Sequence, residues 1–187
     1  PWNAQLGAYL LVDVGGQLGL EERVSNSQLS AFLSTSNFVA YGSDSQSRKK
    51  LWQYRDLHTE AISAAGVPHK LDVSLPHGKL NEFCNNVQEV INAIDDQTQS
   101  FLFGHAGDGN IHVNILGPNP EDLEVDIAIL KYVASLGGSI SAEHGIGRAK
   151  AHHLYLNRTP TEINIFQEIK SVFDPAGILN PGTIFPQ

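Results

Sequence analysis

Ser100-Phe-Leu-Phe-Gly-His-Ala-Gly-Asp-Gly-Asn-Ile-His-Val-Asn-Ile-Leu116 is the stretch on which the fold turns. Two β-rich runs, 100–104 and 110–116, flank Ala106-Gly-Asp-Gly109. That turn chemistry predicts a hairpin, and so an antiparallel pair. Alternation along the second run sends Ile111, Val113 and Ile115 to one side and Asn110, His112 and Asn114 to the other. The apolar trio faces a core. With a turn over 106–109, His105 stands opposite Asn110 and diagonal to His112. That is about 7–8 Å at the backbone, near enough for two imidazoles to share one ion. A single histidine on such a face reads as solvated surface. Two His and two Asn at the mouth of a Gly-rich turn point instead to a metal or substrate site. Gly104, Gly107 and Gly109 lead into a strand rather than a helix, which excludes a dinucleotide fingerprint.

Outward from the hairpin, Ala8-Tyr-Leu-Leu-Val-Asp-Val14 and Asn37-Phe-Val-Ala-Tyr41 read as strands, with a short helix over 27–33 between them. Leu51, Tyr54, Leu57, Ala61 and Ala65 form one helical stripe ending at Gly66. Lys70-Leu-Asp-Val-Ser-Leu75 alternates as a strand, and Pro76 opens a helix reaching about Ile94. After Gly117-Pro-Asn-Pro120 a helix runs from about Glu121 to Leu136 and stops at Gly137-Gly138. A helical piece follows Glu143, another spans Pro160 to Phe173, and a turn-rich tail closes the chain. This order predicts an α+β fold, an antiparallel sheet with helices on one face and a helical C-terminal segment. The sheet-and-helix part covers about 1–118 and the helical part about 119–187.

The 187 residues carry 12 Lys+Arg against 20 Asp+Glu, a formal charge of −8. An acidic chain argues against a nucleic-acid binder, which needs a basic face to replace counterions. Arg48-Lys49-Lys50 reads as a solvated helix end. The single cysteine, Cys84, excludes an intrachain disulfide and reads as a small buried thiol in a helical stripe. No run is long enough for a transmembrane helix, and the contents suit a reducing cytosol. Residue 1 is Pro and Met is absent, so the chain reads as part of a longer protein.

A second motif, Gly137-Gly-Ser-Ile-Ser-Ala-Glu-His-Gly-Ile-Gly-Arg148, sets Glu143 and His144 between glycines. Glu143 can complete a two-His, one-carboxylate site with open positions, the pattern of a catalytic ion. Its alternative is a helix-start residue complementing the dipole. Arg55 and Thr59, four apart, share a helical face, and Lys70 opens the next strand. An Arg fork plus a Lys suits a carboxylate-bearing small molecule, with ordinary surface charge as the alternative. His152 and His153 are read as surface residues.

Gly104-His-Ala-Gly-Asp-Gly-Asn-Ile-His-Val-Asn114, Ser141-Ala-Glu-His-Gly-Ile-Gly147 and Phe173-Asp-Pro-Ala-Gly-Ile-Leu-Asn-Pro-Gly182 occur in a telling order. With Trp52-Gln-Tyr-Arg-Asp56 and Lys70-Leu-Asp-Val-Ser-Leu-Pro76, they resemble the C-terminal, substrate-binding domain of FAD-linked oxidases of the vanillyl-alcohol-oxidase type. The likeness runs from about residue 50 to 185 and is nearest to the D-2-hydroxyglutarate dehydrogenase, D-lactate dehydrogenase and glycolate oxidase flavoprotein group. It implies a ferredoxin-like domain and a divalent metal, zinc before manganese or ferrous iron, on His105, His112 and Glu143. It implies that Arg55, Thr59 and Lys70 grip a substrate carboxylate, that Asn114 and His144 meet the reacting end, and that Asn180 approaches the flavin. The implied reaction oxidises a D-2-hydroxy acid to a 2-oxo acid, with His144 as general base. FAD would sit mainly on a separate domain, leaving this chain inactive alone. The electron acceptor is undetermined, and a homodimer is compatible. A stand-alone metal-dependent hydrolase and a non-catalytic carboxylate-binding module are the rival readings.

Overall fold

The computed structural model describes residues 7–15, 29–34 and 38–186. They group into two compact units, Pro1–Ala61 and Ile62–Gln187. The first unit contains α1 (Leu29–Ser34), α2 (Ser45–Asp56) and the start of α3 (His58–Ala65). Asp44 caps α2: its carboxylate accepts from the Gln46 and Ser47 amides at 2.8 and 2.9 Å. The expected single helix from 47 to 65 is divided at Leu57, whose N–H is shared between the Gln53 and Arg55 carbonyls. The 27–33 helix is met by α1, residues 27 and 28 lying outside the described ones.

The two N-terminal strands are not formed. Residues 8–14 and 38–41 have no regular structure, Asn37 lies outside the described residues, and Tyr9, Leu10, Val12, Phe38 and Tyr41 are exposed. β-propensity measures how well a side chain fits a half-buried pleated surface, and it makes a strand only where a ladder partner supplies that surface.

The second unit holds an antiparallel sheet of β1 (His69–Ser74), β2 (Gln99–His105) and β3 (Asn110–Leu116), in the order β1-β3-β2. Lys70, Asp72 and Ser74 stand opposite Asn114, His112 and Asn110, which in turn face Phe101, Phe103 and His105. The other side of the same strands presents Leu71, Val73, Leu102, Ile111, Val113 and Ile115 to two helices. α4 (His77–Asn92) contributes Phe83, Val87 and Ile91, one per turn. α5 (Glu124–Ser135) contributes Val125, Ile129, Leu130 and Val133. All seven are buried, and each removes about 1.5–3 kcal/mol of apolar exposure from water. The architecture is α+β, with the helices on one sheet face.

α5 starts three residues later than its periodicity suggests. Asn119 and Asp122 side chains accept from the Glu121 and Glu124 amides at 3.1 and 3.0 Å, and these local turns compete with helix. Residues 151–156 form a 3₁₀ turn, and α6 (Pro160–Phe173) opens on a reciprocal Thr159–Glu162 capping box. Cys84 is exposed rather than buried, because Phe83 beside it takes the core-facing position of α4. Among the described residues no helix is long and apolar enough to cross a membrane.

Candidate functional site

Two glycines set up the hairpin. At Gly104 a Cβ would fall 2.1 Å from the Asn110 carbonyl oxygen, and at Gly109, with φ of 76°, one would fall 2.1 Å from that of Leu75. Only glycine lets the backbones approach so closely. The turn thus formed brings His105 and His112 onto one face, ring centroids 6.5 Å apart and edge to face. Phe103 lies against the His112 ring at 5.2 Å.

The Glu143-His144 segment is fastened to the free edge of β1. Ser139 and Ser74 exchange backbone hydrogen bonds at 2.8 and 3.1 Å, and the Ala142 amide donates to the Asp72 carbonyl at 3.2 Å. Lys150 Nζ donates to the Asp72 and Ile140 carbonyls at 3.2 and 2.7 Å, tying both strands of this edge together. Burial pushes the Lys150 ammonium below its ordinary value, and the Asp72 charge opposes that shift. Asn110 Nδ2 donates to Glu143 Oε1 at 2.5 Å, which aims that carboxylate at the hairpin.

Asp72 is the residue the sequence reading passed over. It is 5% exposed. Its Oδ1 lies 3.3 Å from His112 Nδ1, and its Oδ2 accepts from the Glu143 amide at 2.9 Å and lies 3.8 Å from His144 Nδ1. One carboxylate therefore touches both motifs. The signal was present in Lys70-Leu-Asp-Val-Ser74, where alternation puts Asp72 on the face of Lys70.

His105 and His112 lie on the polar face of β2 and β3, and Glu143 and His144 on the segment along β1; Asn114, 3% exposed, is in the next row with exposed Lys70 opposite it. Arg55 and Thr59 belong to the first unit, Arg55 half-buried near the end of α2 and Thr59 exposed in α3. Asn180 is exposed on the tail with φ of 46°. His152 is exposed, but His153 is half-buried, its Nδ1 enclosed and without a hydrogen bond. The helix start expected at Glu143 does not occur; 143–146 are irregular and a turn covers 147–150.

The donor chemistry suits a borderline divalent ion: two imidazoles, a carboxylate, and two buried oxygens without hydrogen bonds, Asp72 Oδ1 and Asn110 Oδ1. The geometry is open. Two imidazoles on one tetrahedral ion have ring centroids roughly 5 Å apart, so this pair is over an ångström wide. Among the described residues no three His, Cys, Asp or Glu side chains are placed to hold an ion together.

Known proteins are similar to this chain in sequence. D-2-hydroxyglutarate dehydrogenase of Stutzerimonas stutzeri is 38% identical over 148 residues, covering 75% of this chain and 32% of that protein. The mitochondrial D-2-hydroxyglutarate dehydrogenase of Danio rerio is 31% identical over 185 residues, covering 95% and 34%. The D-2-hydroxyglutarate–pyruvate transhydrogenase of Saccharomyces cerevisiae is 35% identical over 198 residues, covering 97% and 39%. The chain spans roughly a third of the length of these relatives. With an α+β sheet bearing its polar residues on one face, and a family match over residues 1–184, the chain belongs to the FAD linked oxidases, C-terminal domain family.

Proposed function

We propose that the face around Asp72 is the substrate- and metal-binding part of an FAD-linked dehydrogenase that oxidises a D-2-hydroxy acid to a 2-oxo acid. The observation that carries the reading is that one sheet face bears His105 and His112 while Asp72, on that face, touches His112 and the Glu143-His144 segment, in a chain of this family. His105, His112 and Glu143 would hold a divalent ion, a donor set that suits zinc, manganese or ferrous iron. When bound, that ion supplies Lewis-acid polarisation of the substrate hydroxyl, and FAD supplies the acceptor for the α-hydrogen with its electron pair.

The chain's own residues do the rest. His144 is the general base: its Nδ1 lies toward Asp72, so Nε2 is the atom that takes the hydroxyl proton. Its side chain is 69% exposed, open to an incoming substrate. Asn114 supplies an amide for the reacting end, and Lys70, opposite it across β1 and β3, a cation for the substrate carboxylate. Arg55 and Thr59 take the same role in the proposal, and Asn180 that of a flavin contact. FAD resides on a separate domain, so the chain by itself does not turn over; hydroxyacid oxidation by these 187 residues alone would overturn that.

Metal analysis of the whole protein tests the reading. About one equivalent of divalent metal is expected, lost in His112→Ala with the secondary structure retained. No metal after incubation with zinc or manganese would overturn the metal assignment. The open ligand geometry favours one rival, a non-catalytic carboxylate-binding module. That rival releases no protons on metal titration, whereas imidazole ligation does.

A further inference from the structure

We propose that Asp72 is a positioning residue that holds His112 as its Nδ1–H tautomer and orients the Glu143-His144 segment beside it. The inference rests on the functional reading above for the role of His112, but its structural basis is independent of any bound ion. Asp72 is buried and, as a carboxylate, only accepts. Its Oδ2 is committed to the Glu143 N–H at 2.9 Å. Its Oδ1 has no hydrogen bond, and His112 Nδ1 lies 3.3 Å from it. An enclosed acceptor left without a donor is costly, so the proton of the neutral imidazole belongs on Nδ1. The lone pair is then on Nε2, the nitrogen left for a ligand. A ring N–H held by a carboxylate is the usual way a ligating histidine is fixed in tautomer and orientation.

The isosteric substitution reverses this arrangement by simple accounting. In Asp72→Asn the side chain has one oxygen and one NH₂. The Glu143 amide can only donate, so the oxygen must turn toward it. The NH₂ then faces His112 Nδ1, which becomes an acceptor, and the ring proton moves to Nε2. The nitrogen offered to a ligand is thereby blocked without a change in side-chain size.

The test uses the whole protein, metal-stripped and labelled with ¹⁵N-histidine, and reads ring-nitrogen chemical shifts. His112 Nε2 is expected to be unprotonated in the wild type and protonated in Asp72→Asn. Zinc affinity, measured by competition with a chelator, is expected to fall about 10–100-fold in the variant. Lys150→Gln serves as the comparison, since it removes the clamp on the Asp72 and Ile140 carbonyls without touching the carboxylate. It is expected to lower the melting temperature while leaving the tautomer unchanged. An Nε2–H tautomer in the wild type overturns the assignment even if the variants fail to fold. An unchanged tautomer in folded Asp72→Asn overturns it equally. A tautomer switch between wild type and Asp72→Asn, with no zinc bound by the wild type, overturns the metal reading and supports the assignment of Asp72.

Discussion

Asn110 is 2% exposed, sits across the hairpin from His105 and donates to Glu143 at 2.5 Å. The amide lets a buried strand position hold a carboxylate without bringing in a second negative charge. Asn110→Asp would put two carboxylates in that contact. The Glu143 carboxylate would lose its donor and meet a second acidic group, so the variant is expected to lose about 2 kcal/mol of stability. Urea unfolding reads the difference; an unchanged midpoint would show that Glu143 does not face position 110. Asp72 illustrates the same point from the acidic side, since its two oxygens serve different elements.

At the scale of elements, the C-terminal tail is organised by one side chain. Asp174 follows α6, accepts from Lys170 Nζ at 2.6 Å, and accepts from the Ile178 and Leu179 amides at 2.9 and 3.0 Å. Lys170 also donates to the Leu179 carbonyl at 2.9 Å. The Lys170 contact above all, with those amides, holds the Asp174 carboxyl below its ordinary value against the opposing effect of burial. A depressed carboxylate stabilises the fold above its unfolded value, and that contribution is lost as pH falls through the lowered one. Asp174→Asn is therefore expected to speed hydrogen exchange of the Ile178 and Leu179 amides by about tenfold at neutral pH. The gap between variant and wild type should close in acid. Exchange measured by NMR checks it, and Asn180, carried on this tail, would move with it.

For the second unit as a whole, one apolar layer between sheet and helices supports the polar face on the other side. Phe83 is fully buried and stacks on Tyr132 with centroids 5.8 Å apart. Phe83→Ala is expected to cost about 3–5 kcal/mol. Val73, Val113 and Ile111 share its core with α4 and α5, so the loss should appear as a shift of the whole denaturation transition, read by circular dichroism. A local loosening of α4 alone would show that the layer is not cooperative.

What residues 62–187 owe to sequence alone is what short-range periodicity can carry. The alternation of 110–116, the stripe Phe83-Val87-Ile91 and the helical pattern from Pro160 to Phe173 each act within a few residues of themselves, and each appears in the structure where its pattern places it. The facing of His105 and His112 belongs to the same class, because a four-residue turn determines it. Tertiary structure decided the rest. Ala8–Val14 has strand composition, but a strand needs a neighbour, and composition does not supply one. Cys84 lies in an apolar stretch, yet Phe83 takes the inward position because the sheet lies on that side. Asp72 became the centre of the candidate site only when β1 paired with β3 some forty residues later and the Ser139–Glu143 segment closed over its edge. Polar residues on an alternating strand look alike in sequence. Which of them is enclosed, and by what partners, depends on contacts between distant segments, and no local pattern encodes those.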